Sequence, residues 1–363
     1  MELGLFLQPA TKPGRPLADI IEWNVEVISE ADKLGFHEVW IGQHITSPWE
    51  PLPSPQQIIA RSVGETSKIR LGTGVEVLYQ SHPVRLAAEL AQLDQMARGR
   101  LMFGFGGGGT PTDAQLYNVD FSTGQHQEMS REALKIILDC WKPGGPDEFN
   151  GKYWSVKKPK YSKNYNWHLE PFKPVKQRIG FAGFMPDSSS LKIAGKEGYI
   201  PLSFNVSPEN VAIHWPVINN AANSVGKTAN REQWRHIREI YVADSNKEAR
   251  NAVLNGFAAE FWNSYFKIII ERLRIEHLFR RPSATQESQI DAKYLVDSET
   301  WFVGDPDTVV SQIVNQYRLT GGFGVLLQMG FDYSEPEAKE GWLRSMDLLS
   351  NEVMPKVNAI LNK

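Results

Sequence analysis

The chain has 363 residues, 41% of them hydrophobic and 22% charged, with a formal net charge of -3. That is the composition of an ordinary soluble enzyme, and so even a balance gives no electrostatic basis for binding nucleic acid or a membrane surface. Cys140 is the only cysteine, so an intrachain disulfide is excluded and a reducing, cytoplasmic setting is expected. The opening MELGLFLQPA lacks the basic segment and apolar core of a secretory signal. No apolar run approaches the roughly 18 residues that would suggest a transmembrane helix.

Strand and helix signals alternate from the first residues. Gly4 to Leu7 reads as a short strand, and Leu17 to Leu34 as a helix with Ile20, Ile21, Val27, Ile28, Ala31 and Leu34 on one face, closed by Gly35. Glu38 to Gly42 is a second strand and Pro55 to Glu65 a second helix. The stretch LGTGVEVLYQSHPVRLAAELAQLDQMARGRLMFGFGGGG (Leu71 to Gly109) is the most informative of the chain. It predicts a strand over Arg70 to Leu78, a turn at His82-Pro83, a helix to Met96, and a strand over Leu101 to Phe105 that runs into glycines. Strand, helix and strand in one short span form a βαβ unit with parallel strands.

Polar coil is expected from Thr110 to about Gln127, then a helix over Ser130 to Trp141 on Ala133, Ile136, Ile137 and Cys140. Residues 142 to 177 form an excursion containing a hairpin strand, GKYWSV. Strands follow at Arg178 to Ala182, Ile200 to Phe204, and Ile237 to Ala243, with helices over Ser189 to Glu197, after Pro208 and from Asn246. Residues 262 to 299 read as a second, irregular excursion. Trp301 to Val303, a helix after Pro306, a last strand over Phe323 to Met329, and a helix from Pro336 complete the chain. Eight strands separated by helices are the arithmetic of an α/β (β/α)₈ TIM barrel with insertions, built as one domain over residues 1–363. A doubly wound sheet is the runner-up, disfavoured because alternation persists to the end with no linker between halves.

Gly104, Gly106 and Gly109 satisfy G-x-G-x-x-G after a strand, but a dinucleotide fold would need a helix opening within the motif and an acidic residue on the next strand. The segment reads instead as a place where backbone approaches a cofactor at a barrel mouth, or as a flexible loop with no ligand. His44, two residues past an apolar strand, is placed at the same mouth, where it would exchange protons near neutral pH; a surface histidine is the plainer alternative. The eight histidines include no pair at metal-ligand spacing, so no metal site is expected. Ser188, Ser189 and Ser190 open a helix; capping accounts for one, and the others with the backbone N–H groups form a candidate phosphate site.

Taken together these segments resemble the luciferase-like flavin-dependent monooxygenases, the bacterial luciferase superfamily. The resemblance rests on GFHEVWIGQH, LGTGVEVL, SHPVRLAAELAQLDQMARGRLMFGFGGG, SSSLKIAGKEGY, VGDPDTVVSQI and LLSNEVMPKV, in order over nearly the whole chain. Within the family the likeness is nearest to diketocamphane and limonene monooxygenases, through the SSSLK-AG segment, the loop carrying Trp49, Glu50, Pro51 and Pro53, and the glycine-rich segment. It implies a barrel holding FMN, as FMNH₂, against Thr73, Gly74, Val75, Gly104, Gly106, Met185 and Ser188 to Ser190. His44 is implied as the catalytic residue, and Phe6, Trp49 and Tyr79 as substrate-pocket walls, with Trp40 assigned to core packing.

The family's non-proline cis peptide would fall near Gly74-Val75. Two departures stand out: luciferase has an arginine where this chain has Gly107, and Glu-His-His where it has Gln43-His44-Ile45. A phosphate would therefore depend more on Ser188 to Ser190. The resemblance also implies a two-component system in which a separate flavin reductase supplies FMNH₂. O₂ is the co-substrate, a flavin C4a-hydroperoxide oxygenates a cyclic ketone, aldehyde or terpene, and the oxygenase is a homodimer or heterodimer. Alternatives are a deazaflavin (F420)-dependent oxidoreductase of the same superfamily and a non-catalytic flavin-binding barrel. The substrate cannot be read, because Pro48 to Pro55 and residues 262 to 299 supply the pocket walls.

Overall fold

The computed structural model describes residues 1–158, 170–282 and 289–362, so the remainder of each excursion lies outside the described residues. Eight strands form a closed parallel barrel: β1 (Glu2–Leu7), β2 (Glu38–Ile41), β3 (Arg70–Thr73), β4 (Leu101–Gly106), β5 (Ile179–Gly183), β6 (Ile200–Ser203), β7 (Arg235–Arg238) and β8 (Val325–Gly330). β1 pairs with both β2 and β8, and β3 pairs with β2 and β4, which closes the ring. The (β/α)₈ barrel expected from the alternation is the fold. Its helices are α1 (Leu17–Lys33), α2 (Pro55–Val63), α3 (Pro83–Met96), α4 (Gln125–Cys140), α5 (Ser189–Glu197), α6 (Pro208–Asn223), α7 (Pro306–Thr320) and α8 (Pro336–Leu348).

The helices form where apolar residues recur every three to four positions and bury that stripe on the barrel. In α1 the buried residues include Ile20, Trp23, Val27, Ile28 and Ala31, and Gly35 ends the helix at φ +81°. Among the described residues no helix is long and apolar enough to cross a membrane.

Inside the barrel, Trp40 is fully buried. Its ring lies where side chains at Gly72 and Gly180 would stand, at 2.6 and 2.8 Å from their ideal Cβ positions. Small residues on β3 and β5 thus make room for one large ring from β2. Below it, at the amino-terminal end, Arg235 donates to both carboxylate oxygens of Glu38 at 3.0 Å, and Trp40 Nε1 donates to Oε1 at 2.8 Å. Burial alone would raise the Glu38 carboxyl, yet the Arg235 guanidinium and these donors hold it below its ordinary value. The pair closes the barrel floor, leaving the carboxyl ends of the strands as the open face.

Four expectations are corrected. The strand expected over Arg70 to Leu78 ends at Thr73; Glu76–Val77 pairs separately with β4, and Leu78–Gln80 is a 3₁₀ turn. The strand expected over Ile237 to Ala243 splits at Glu239: β7 belongs to the barrel, while Ile240–Val242 pairs with Phe302–Gly304 outside it. The coil expected from Thr110 to Gln127 contains a helix, Pro111–Leu116, and α4 begins at Gln125 rather than Ser130. Among the described residues the second excursion is largely helical: a π turn at Trp262–Phe266 continues the preceding helix Phe257–Phe261 into a helix over Lys267–Arg272, and a further helix spans Ala292–Asp297. In the first excursion Phe149–Asn150 and Ser155–Val156 form the antiparallel hairpin expected around GKYWSV.

Candidate active site at the barrel mouth

The carboxyl ends of the strands surround a cavity of about 610 Å³, within the range of small-molecule and cofactor sites. Its lining includes Phe6, His44, Gly74, Val75, Gly106 to Thr110, Met185, Ser188 to Ser190, Phe204, and the excursion residues Tyr265, Phe266, Ile269, Ile270, Leu273 and Ile275. Among the described lining residues there is no lysine or arginine.

One wall is backbone. The Gly74–Val75 peptide is cis, at the position that the resemblance implies. Beside it the glycine run leaves β4, with Gly108 at φ +73° in the left-handed region that favours glycine. Gly106 to Gly109 line the cavity, but Gly104 does not. A Cβ on Gly104 would lie 1.9 Å from the Thr73 carbonyl oxygen, and Thr73 Oγ1 donates to the Gly104 carbonyl at 2.8 Å. These two residues fasten β3 to β4 behind the wall.

The start of α5 forms the polar corner. Ser188 is buried and caps the helix, its Oγ accepting from Leu191 N–H at 3.3 Å. Ser189 and Ser190 also line the cavity, and their N–H groups in the first turn have no intrahelical acceptor. The helix dipole adds partial positive charge there, so this corner attracts an anion without a cationic side chain.

His44 enters the cavity between two carboxylates. Its Nδ1 lies 3.0 Å from Thr110 Oγ1 and 3.9 Å from Asp113 Oδ2, while its Nε2 lies 3.7 Å from Glu50 Oε1. Asp113, on the unanticipated helix Pro111–Leu116, accepts the N–H of Thr46 at 2.8 Å and that of Ile45 at 3.3 Å, which fixes the loop after β2. Gln43 Oε1 accepts the Val77 N–H at 3.3 Å and ties the same loop to the segment after the cis peptide.

The structure thus gathers His44, Gly74, Val75, Gly106, Met185, Ser188 to Ser190 and Phe6 around one cavity, and places Thr73 and Gly104 behind its wall. Trp49 and Tyr79 stand outside the lining. Trp49 stacks on Tyr265 at 5.9 Å, supporting the excursion from behind, and Tyr79 packs edge-on to Tyr117 at 6.0 Å in a side cluster with Val77, Ala114 and Val119. Sequence reasoning assigned no role to Gln8, Glu50, Thr110, Asp113 or Tyr265. For Tyr265 a signal existed: Phe257, Phe261, Tyr265, Ile269 and Leu273 recur every four residues, a helical stripe within apparently irregular sequence.

The described residues contain no group of three or more His, Cys, Asp or Glu able to hold a metal. The family model for luciferase-like monooxygenases matches residues 1–322. The chain is 30% identical over 365 residues to a 2,5-diketocamphane 1,2-monooxygenase of Pseudomonas putida, covering 98% of this chain and 99% of that one. It is 27% identical over 366 residues to limonene 1,2-monooxygenase of Rhodococcus erythropolis, covering 99% and 88%. Among solved structures, the oxygenating constituent of 3,6-diketocamphane monooxygenase from P. putida, a type II Baeyer–Villiger monooxygenase in complex with FMN, superposes with a TM-score of 0.92 at 29% identity, covering 98% of each chain.

Proposed function

The chain belongs to the luciferase-like monooxygenase family, and on that premise we propose that it is the oxygenase component of a two-component system. It takes reduced FMN from a separate reductase and O₂ from solution, and inserts one oxygen atom into a small apolar ketone, aldehyde or terpene while the other leaves as water. The observation that carries this reading is the two-sided character of the mouth cavity. Glycine backbone and a serine-capped helix start supply its polar lining, and Phe6, Phe204, Phe266, Ile269, Ile270, Leu273 and Ile275 supply its apolar lining.

The donor set fits FMN. The ring system would lie against Val75 and Gly106, and its phosphate would meet the Ser189 and Ser190 N–H groups and hydroxyls. When bound in its reduced form, the flavin supplies the two electrons that oxygen activation requires. The apolar side excludes water and accepts a substrate without hydrogen-bonding demands. His44, within reach of Thr110 and two carboxylates, accepts or returns a proton at its imidazole. The same lining, with no cationic side chain among the described residues, offers little to the acidic tail of a deazaflavin. The FMN complex of the Baeyer–Villiger relative supports a carbonyl substrate, and the limonene monooxygenase supports an alkene.

Anaerobic titration with reduced FMN, followed by oxygen uptake against a panel of cyclic ketones, aldehydes and terpenes, tests the reading. Binding of reduced FMN and substrate-coupled oxygen uptake are expected. A protein that binds no reduced FMN sinks it.

A further inference from the structure

Glu50 is a charged group at the mouth that the cofactor reading leaves without a role. Its side chain lines the cavity, yet the residue is only 2% exposed. A carboxylate so far from water persists only where donors surround it. Gln8 Nε2 donates to Oε1, and Tyr265 Oη donates to Oε2 at 2.7 Å. Because the phenol's one proton is spent on Glu50, Ser47 Oγ, 2.8 Å away, donates to the Tyr265 oxygen. The carboxylate is therefore clamped from the end of β1 and from the excursion helix, and Oε1 faces His44 Nε2 at 3.7 Å.

We infer that Glu50 is a positioning residue for His44. Its clamped carboxylate holds the tautomer in which Thr110 donates to Nδ1 and Nε2–H faces Oε1, and it stabilises the imidazolium when a proton arrives. Tyr265 sits on the same helix as the apolar wall residues Ile269, Ile270 and Leu273. Docking of that helix thus sets where Glu50 points, which couples the shape of the substrate side to the orientation of the base. The inference deepens the proposed function, and rests on it only for what His44 does with its proton. The ionisable groups around the ring are Glu50 and Asp113; Tyr265 faces Glu50, and Asp187 lies at the serine corner of the same cavity.

NMR titration of the histidine-labelled, flavin-free protein tests this, with the His44 signal identified by its loss in His44→Asn. Glu50→Gln is expected to lower the His44 midpoint by about one pH unit and to shift the tautomer ratio. Glu50→Asp is expected to recover part of the shift. Tyr265→Phe, which keeps the ring packed on Trp49, is expected to move the midpoint in the same direction by less. An unmoved midpoint in folded Glu50→Gln overturns the inference, as does a midpoint that follows Asp113→Asn and ignores Glu50→Gln. Should Glu50→Gln fail to fold, unchanged His44 nitrogen shifts in Tyr265→Phe overturn it. The titration requires no flavin, so its failure is separable from a failure to bind reduced FMN.

Discussion

The wall built on β3, β4 and the start of α5 presents backbone to the cavity, whereas the wall built on the excursion helix presents side chains. The first is fixed by the barrel: Gly104 packs against the Thr73 carbonyl and the serines open a helix whose strand is part of the ring. The second lies outside the β/α alternation and contributes Tyr265, Phe266, Ile269, Ile270 and Leu273 from residues that no barrel strand holds. In the proposed function the backbone wall meets the cofactor common to every turnover. Side chains on an insertion can be exchanged without disturbing the sheet, so the same proposal puts specificity on that side.

Substitutions that discriminate the walls should therefore act differently. The largest effect is expected from Gly104→Ala, whose Cβ would collide with backbone on the neighbouring strand; a loss of about 3 kcal/mol or more should appear as a lower urea midpoint at unchanged slope. A wild-type midpoint would mean that the two strands can move apart. His44→Ala, between the walls, is expected to lower substrate-coupled oxygen uptake about 100-fold while leaving reduced FMN binding nearly unchanged. Unaltered uptake would remove His44 from the chemistry.

A pH experiment reaches beneath the excursion wall. Glu239 is buried beside Phe331 and Ala258, and burial pushes its carboxyl up to about 7 from an ordinary 4.5. Between those values the folded protein holds a proton that the unfolded chain has lost, so this group makes stability fall as pH rises from about 4.5 to about 7, with no further change above. Glu239→Gln should gain on the wild type across that window, by roughly 3 kcal/mol at pH 8, measured by urea unfolding. A pH-independent difference would show that Glu239 ionises normally.

Smaller changes are expected at the cavity surface. Ile269→Ala should alter the ratio of kcat/KM between bulky and slender substrates about tenfold, with the Kd for reduced FMN unmoved. Ser188→Ala should do the reverse, weakening reduced FMN about fivefold through loss of the cap while leaving the substrate ranking intact. Crossed effects would mean that the two walls are not separate in function.

The barrel was legible because its signals are local. Alternating apolar strands and 3.6-residue stripes need only neighbouring residues, and β1, α3 and α5 fall within two residues of where periodicity places them. The excursion helix was obscured for a physical reason: it buries Phe261 and Trp262 in the protein while offering Tyr265, Ile269, Ile270 and Leu273 to the cavity. Apolar residues therefore surround much of it and blur the stripe. The strand expected over Ile237 to Ala243 looked continuous because both of its halves are buried, in different sheets.

The sequence by itself determined the eightfold alternation, the family, the glycine run, the serine helix start and the position of His44 past a strand, since each is written in contiguous residues. Only the tertiary structure decided that Gly104 serves strand packing while Gly106 to Gly109 face the cavity, and that Trp49 supports the excursion rather than lining the pocket. It alone brought Glu50, Gln8 and Tyr265 to one carboxylate, with 42 and 215 positions of chain separating the donors from Glu50. Contacts of that span leave no local periodicity to read; they exist only once the barrel has closed and the excursion helix has docked across its mouth.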